Sequence, residues 1–213
     1  MMSYLVIMRH SFHLITITLF SLFVSACSAQ RAAEDEAPAT IEVPANMQTA
    51  VLAAGCFWCV ESFYEQLDGV HDAVSGYAGG SDLNPTYYQV AGGKTSHAEA
   101  VQVIYDSAII SYRELVDFFW TTHDATRSDG VWPDFGPQYR SIFFYQNEEE
   151  KVTIEASRKK YETATNKTIA TEIESLDIFY PAETYHQDYA KKNPNDRYVR
   201  GILNPKLKKL GLQ

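Results

Sequence analysis

Cysteine is scarce in this chain: three in 213 residues, at positions 27, 56 and 59. That is too few for a disulfide-stapled scaffold, and no second C-x-x-C or Cys/His pair completes the four ligands of a structural zinc site. Basic charge is scarce too. Eighteen Lys and Arg face 27 Asp and Glu, for a net charge of -9, and the one basic cluster is Lys206, Lys208 and Lys209 near the C-terminus. Nothing here draws the protein to a phosphate backbone, so nucleic acid is not an expected partner. Long apolar runs are missing as well: the strongest, Leu14 to Val24, has about eleven residues against the ~20 that span a bilayer. Internal repeats are absent. What is there is 46% hydrophobic residues, enough for one well-packed domain with a short appendage.

The first 26 residues read as an export address. Arg9 precedes the apolar run, and small residues lead to Cys27, the layout of a secretory signal peptide. Val24-Ser25-Ala26-Cys27 resembles a bacterial lipobox, which makes Cys27 a lipidation site and not a redox residue. The expectation is an exported protein, lipid-anchored to a membrane and facing the periplasm, at the outer membrane in a diderm host. Met8 stands as an alternative start. Residues 27–47 are rich in Ala, Pro and acid without apolar periodicity, a flexible acidic tether, and 48–213 form the folded domain.

Within that domain TAVLAA predicts a strand ending at Gly55, and Phe57 to Leu67 has the three- and four-residue apolar spacing of a helix. Val70 to Tyr77 predicts a second strand. A loop dense in Gly, Asn and Pro follows, and then Ala98 to Tyr105 alternates as a third strand. Ser111 with Glu114 marks the start of a second helix, Ser141 to Tyr145 a fourth strand, and Asn147 with Glu150 a charged third helix running to Thr165. IATEIES reads as an edge strand. The order is that of an α+β fold with a ferredoxin-like split βαβ core, helices packed on a mixed sheet, and an additional C-terminal region.

The helix predicted from Phe57 puts Cys56 at its N-terminus, where free N–H groups and the macrodipole favour a thiolate. Cys59 lies about one turn on, within the ~4.4 to 6.8 Å Cα separation of a disulfide. The residues alone leave three readings open: a buried structural cysteine, a thioredoxin-like exchange pair, or a nucleophile with an aromatic pocket beside it. The Phe57-Trp58 dipeptide and the topology argue against the thioredoxin-like pair.

Six blocks, in order, resemble the A-type peptide methionine sulfoxide reductases: Gly55-Cys56-Phe57-Trp58 with Val60-Glu61; Gly76 to Gly80; Asn84 to Tyr87; His97 to Val101; Gly136 with Gln138 to Ser141; and Ala182 to Gln187 before Tyr189. They span about Val51 to Pro194. Ser96 and Pro133 depart from the family's usual Gly and Asn. The resemblance implies thiol-dependent reduction of methionine S-sulfoxide, in proteins, peptides or free, as repair of oxidative damage. It implies no bound cofactor, no metal, and a thioredoxin-like or other thiol as external electron donor.

By position in that family Cys56 is the nucleophile, and Glu99 the acid that protonates the sulfoxide oxygen. Tyr87 and Tyr139 donate to that oxygen. Phe57 and Trp58 form the wall for the S-methyl group, and Asp134 is the acidic residue near the substrate. His186 reads as a surface residue. Family members commonly carry a resolving cysteine after a KNP segment, but Lys191 to Gly201 has none. Cys59 is therefore expected to condense with the Cys56 sulfenic acid. The alternative reading is a membrane-tethered thioredoxin-like thiol-disulfide oxidoreductase.

Overall fold

The computed structural model describes residues 37–212. The expected signal peptide, Cys27 and the first part of the expected tether lie outside them. Within the remainder of that segment, Pro38 bridges Glu183 and the Ala39 N–H donates to the Ala182 carbonyl at 2.9 Å.

The chain enters the sheet as β1 (Gln48–Ala54), turns at Gly55 and runs into helix α1 (Phe57–Tyr64). Strand β2 (Val70–Ala78), the short helix α2 (Tyr87–Ala91) and strand β3 (Ala98–Tyr105) follow. Helix α3 (Tyr112–Thr122) leads to a small hairpin of β4 (Gly130–Val131) and β5 (Asp134–Phe135), and a 3-10 turn over Pro137–Tyr139 precedes β6 (Ser141–Tyr145). Helix α4 (Glu148–Thr165), edge strands β7 (Glu172–Ser175) and β8 (Tyr180–Pro181), helix α5 (Tyr189–Lys192), a π turn over Val199–Leu203 and helix α6 (Asn204–Leu210) complete the described chain.

The sheet order is β7-β6-β1-β3-β2-β8. β1 pairs antiparallel with both β3 and β6, so β3 separates β1 from β2, while β7 runs parallel to β6. The α+β class with a mixed sheet is thus as expected. Period-2 alternation sorts each central strand between two faces. Ala50, Leu52 and Ala54 of β1, with Val101, Val103 and Tyr105 of β3, meet the helices, whereas Val51, Ala53, Ala98 and Ala100 face the other way under Leu176 and Phe179. Where irregular chain lies close over that second face the residue is small: a Cβ on Gly76 would come within 2.3 Å of the Phe179 ring.

Both long helices begin as their caps predict. Ser111 and Glu114 close a capping box on α3, and the Asn147 side chain accepts from the Glu150 N–H on α4. They are joined across the core by Trp120, whose Nε1 donates to Ser157 Oγ at 2.9 Å. Helix α1 stops at Tyr64, earlier than the predicted Leu67, because the chain turns there, with the Leu67 N–H returning to the Tyr64 carbonyl.

The C-terminal region is held to β2 by side chains. Gln187 Oε1 accepts from the Ser75 N–H, and its Nε2 donates to the carbonyls of Ser75 and Ala182. This amide completes the edge of the sheet where β8 ends.

Candidate active site

The site is built at the turn between β1 and α1. Gly55 has φ +81°, and a Cβ there would sit 2.8 Å from Val131 Cβ, so only glycine lets the β4–β5 hairpin pack against the cysteine's turn. Cys56 follows as the helix N-cap. The first helical N–H, that of Phe57, donates to Glu99 Oε2 at 3.0 Å, and this bond ties the helix start to the second residue of β3. Glu99 shares the helix-covered face with Val101 and Val103 and is 2% exposed. It is the buried one of the two states its strand position allowed.

Cys56, Phe57, Trp58, Tyr87, Glu99, Asp134, Tyr139 and Tyr198 line one cavity of about 160 Å³. Seven of these are residues expected from the sequence, drawn from five separate elements and turns. Phe57 stacks against Tyr87 with ring centroids 6.3 Å apart. Trp58 lies flat on Tyr189 at 3.7 Å, and its Nε1 donates to His186 Nδ1 at 3.2 Å. His186 is therefore not the surface residue expected. It is 1% exposed, and burial lowers its pKa to about 4, so the neutral ring accepts from the indole and fixes the tryptophan that borders the cavity.

Burial raises Glu99 to about 8, with the Asp134 charge adding to the effect and the Phe57 N–H opposing it. The carboxyl is thus protonated at neutral pH, and with Oε2 occupied by the backbone, Oε1 is left to carry the acid proton. Burial also raises the hydroxyls of Tyr87 and Tyr139, which remain neutral donors.

The cysteines depart from expectation. Burial pushes the Cys56 thiol well up, and the hydrogen bond with Cys59 and the charge of Cys59 push it further. The helix N-terminus, expected to favour a thiolate, is thus opposed chiefly by burial of the sulfur. Cys59 moves the other way. The hydrogen bond from Cys56 lowers it against the cost of burial, helped by the Lys206 charge and the Tyr198 hydroxyl. Both cysteines are free thiols.

Tyr198 is the residue that sequence reasoning missed. Its hydroxyl donates to Asp134 Oδ2 and lies 3.9 Å from Cys59 Sγ, which links the second cysteine to the cavity's acidic residue. One tyrosine among fourteen, on a turn with no periodicity, carried no signal of this. Glu183 was missed as well. It accepts from the Tyr77 hydroxyl at 2.8 Å and the Tyr87 N–H at 2.9 Å, so a buried carboxylate from the C-terminal region holds the start of α2 where Tyr87 meets the cavity.

A cysteine at a strand-to-helix turn, sharing a cavity with a buried carboxyl and two tyrosine hydroxyls, has the layout of a cysteine-based enzyme site with proton donors beside the sulfur. The family model described as Peptide methionine sulfoxide reductase matches residues 48–212. The chain is similar to the "Peptide methionine sulfoxide reductase MsrA" of Haloquadratum walsbyi, 47% identical over 163 residues that cover 76% of this chain and 94% of that protein. Among solved structures it is similar to Mxr1 from Saccharomyces cerevisiae in reduced form, 38% identical with a TM-score of 0.69, covering 74% of this chain and 92% of that one. It is also similar to Mxr1 in a complex with Trx2, 30% identical with a TM-score of 0.51, covering 71% and 91%. The chain belongs to the peptide methionine sulfoxide reductase family, A type, and is a methionine sulfoxide reductase.

Proposed function

We propose that this enzyme reduces the S epimer of methionine sulfoxide in proteins and peptides, with Cys56 as nucleophile and Cys59 as resolving thiol. The observation that carries this reading is the convergence of the buried Glu99 carboxyl and the Tyr87 and Tyr139 hydroxyls on the cavity that contains Cys56. A sulfoxide oxygen cannot leave unprotonated. Held there, it meets one acid and two neutral donors, which stabilise charge as it develops. The S-methyl group packs against Phe57 and Trp58.

Cys56 Sγ attacks the sulfoxide sulfur, and Glu99 delivers the proton to oxygen. In net terms Cys56–SH and the sulfoxide become Cys56 sulfenic acid and methionine. The Cys59 thiol then displaces the sulfenic oxygen as water, leaving a Cys56–Cys59 disulfide that an external dithiol reduces. The placement of Cys59 one helical turn after Cys56, with its N–H donating to the Cys56 carbonyl at 3.1 Å, supports this second role. A thioredoxin-like protein is the donor this reading favours, by analogy with the solved complex of Mxr1 and Trx2.

The first 27 residues support export and a lipid anchor at Cys27, and with it repair outside the cytoplasm. Mass spectrometry of membrane-extracted protein tests this: the account expects a lipidated Cys27 at the mature N-terminus, and an unmodified one overturns it.

The test of the chemistry is an epimer-resolved assay on a methionine sulfoxide peptide with wild type, Cys56→Ser and Cys59→Ser. Wild type turns over the S epimer only, and Cys56→Ser is inactive. Cys59→Ser releases one methionine per enzyme and then stalls with a thioredoxin-type reductant. Undiminished turnover of Cys59→Ser removes Cys59 from the resolving role.

A further inference from the structure

The reaction uses a cavity of about 160 Å³ and leaves a neighbouring one of about 600 Å³ without a task. The larger cavity has the volume of an ordinary ligand site. The two are separated by a single hairpin. Asp134 of β5 lines the small cavity, while Val131 of β4 and the adjoining Trp132 line the large one. Val131 packs on Gly55, so the wall between the cavities is also the wall behind Cys56. Trp132 is 61% exposed, a large aromatic surface left in water beside the substrate.

The charge of the large cavity is opposite to that of the molecule. Lys167, Lys206 and Lys209 line it against one acid, Asp124, whose carboxylate is engaged by the Thr126 hydroxyl at 2.7 Å. In a chain of net charge -9 this is a local excess of positive charge in a concave place, which focuses attraction for anionic groups. Its field reaches the reaction site, since the Lys206 charge acts on both Cys59 and Asp134.

We propose that this cavity is a second subsite of the same enzyme: it receives residues of the substrate polypeptide flanking the sulfoxide, and its lysines favour carboxylate side chains there. This rests on the sulfoxide reading of the small cavity. A polypeptide whose sulfoxide side chain enters beside Asp134 has its neighbours within one or two residues of the hairpin, about 3.3 Å of extended chain each. Trp132 covers the backbone as it crosses, and the lysines meet the side chains beyond. A folded reductant fits less well, because it has to present its thiol to the cysteines, and a lysine-lined hollow on the far side of the hairpin does not bring it there.

The experiment compares four substrates: three peptides with a central methionine S-sulfoxide flanked on both sides by Glu, Gln or Lys, and N-acetyl methionine sulfoxide, which has no flanking side chains. The expected order of kcat/KM is Glu, Gln, Lys, with about tenfold between the ends at low ionic strength and a smaller ratio as salt is added. Lys167→Glu combined with Lys209→Glu, both exposed, inverts the order and leaves N-acetyl methionine sulfoxide turnover unchanged, which also reports that the variant is folded. Lys206 is kept because its charge acts on Cys59. Equal kcat/KM for the three peptides overturns the proposal. So does a double variant that alters only the KM for the reductant. Failure of wild type on all four substrates would overturn the sulfoxide reading itself.

Discussion

Two buried carboxyls meet helix α1, Glu99 at its first N–H and Glu61 from within the helix, and burial raises both to about 8. They titrate alike and are used differently. Glu61 has both oxygens taken, one by the Ser75 hydroxyl and one by the Asp188 N–H, so it clamps the C-terminal region to the helix. Glu99 accepts a single N–H among the described residues and shares a cavity with Cys56 and two tyrosines. A raised pKa therefore marks both places, and only the unengaged oxygen facing a cavity distinguishes Glu99 as the proposed acid.

The sharpest way to break that contrast is to replace each carboxyl with its amide. Glu99→Gln keeps the shape and loses the acid proton, so kcat/KM for a sulfoxide peptide should fall about a hundredfold or more, with little change in Tm. Glu61→Gln imitates the protonated side chain already present and should hold kcat/KM within about threefold. Equal losses in the two variants would end the distinction.

Next in size are the hydroxyls proposed to assist Glu99. Tyr87→Phe and Tyr139→Phe should each lower kcat about tenfold, measured in single turnover so that resolution does not contribute. Glu61→Ala, by contrast, strands the Ser75 hydroxyl and the Asp188 N–H. Denaturant unfolding should show a loss of about 1–3 kcal/mol while the folded fraction stays active.

A separate effect is on stability against pH. An unfolded glutamate loses its proton near 4.3, whereas Glu61 and Glu99 hold theirs in the folded state to about 8. The stability they supply is complete below the unfolded value and is lost as the pH rises through about 8, since between the two the folded state binds more protons. Tm should decline across that window, and Glu61→Gln should flatten part of the decline.

The same contrast separates what was legible in the sequence from what was not. Glu99 lies on β3, whose alternation set its bounds and left only the choice between buried and exposed. The turn that carries Cys56 was legible as a strand run stopped by glycine before a helical stripe. The residues that orient the site from the other side were not. Glu183, His186 and Tyr198 lie on short segments held by side-chain hydrogen bonds to distant residues, a pattern with no period to detect. The rise of the Cys56 thiol was not legible for a related reason: a helix N-terminus shows in sequence, but the burial that opposes it is made by residues distant along the chain.

The most direct measurement is the pH profile of kcat/KM on an S-sulfoxide peptide. An alkaline limb near pH 8, present in wild type and Glu61→Gln and absent from the residual activity of Glu99→Gln, is the predicted result. A wild-type profile flat through pH 8, or a limb that survives in Glu99→Gln, would contradict the assignment of Glu99 as the acid.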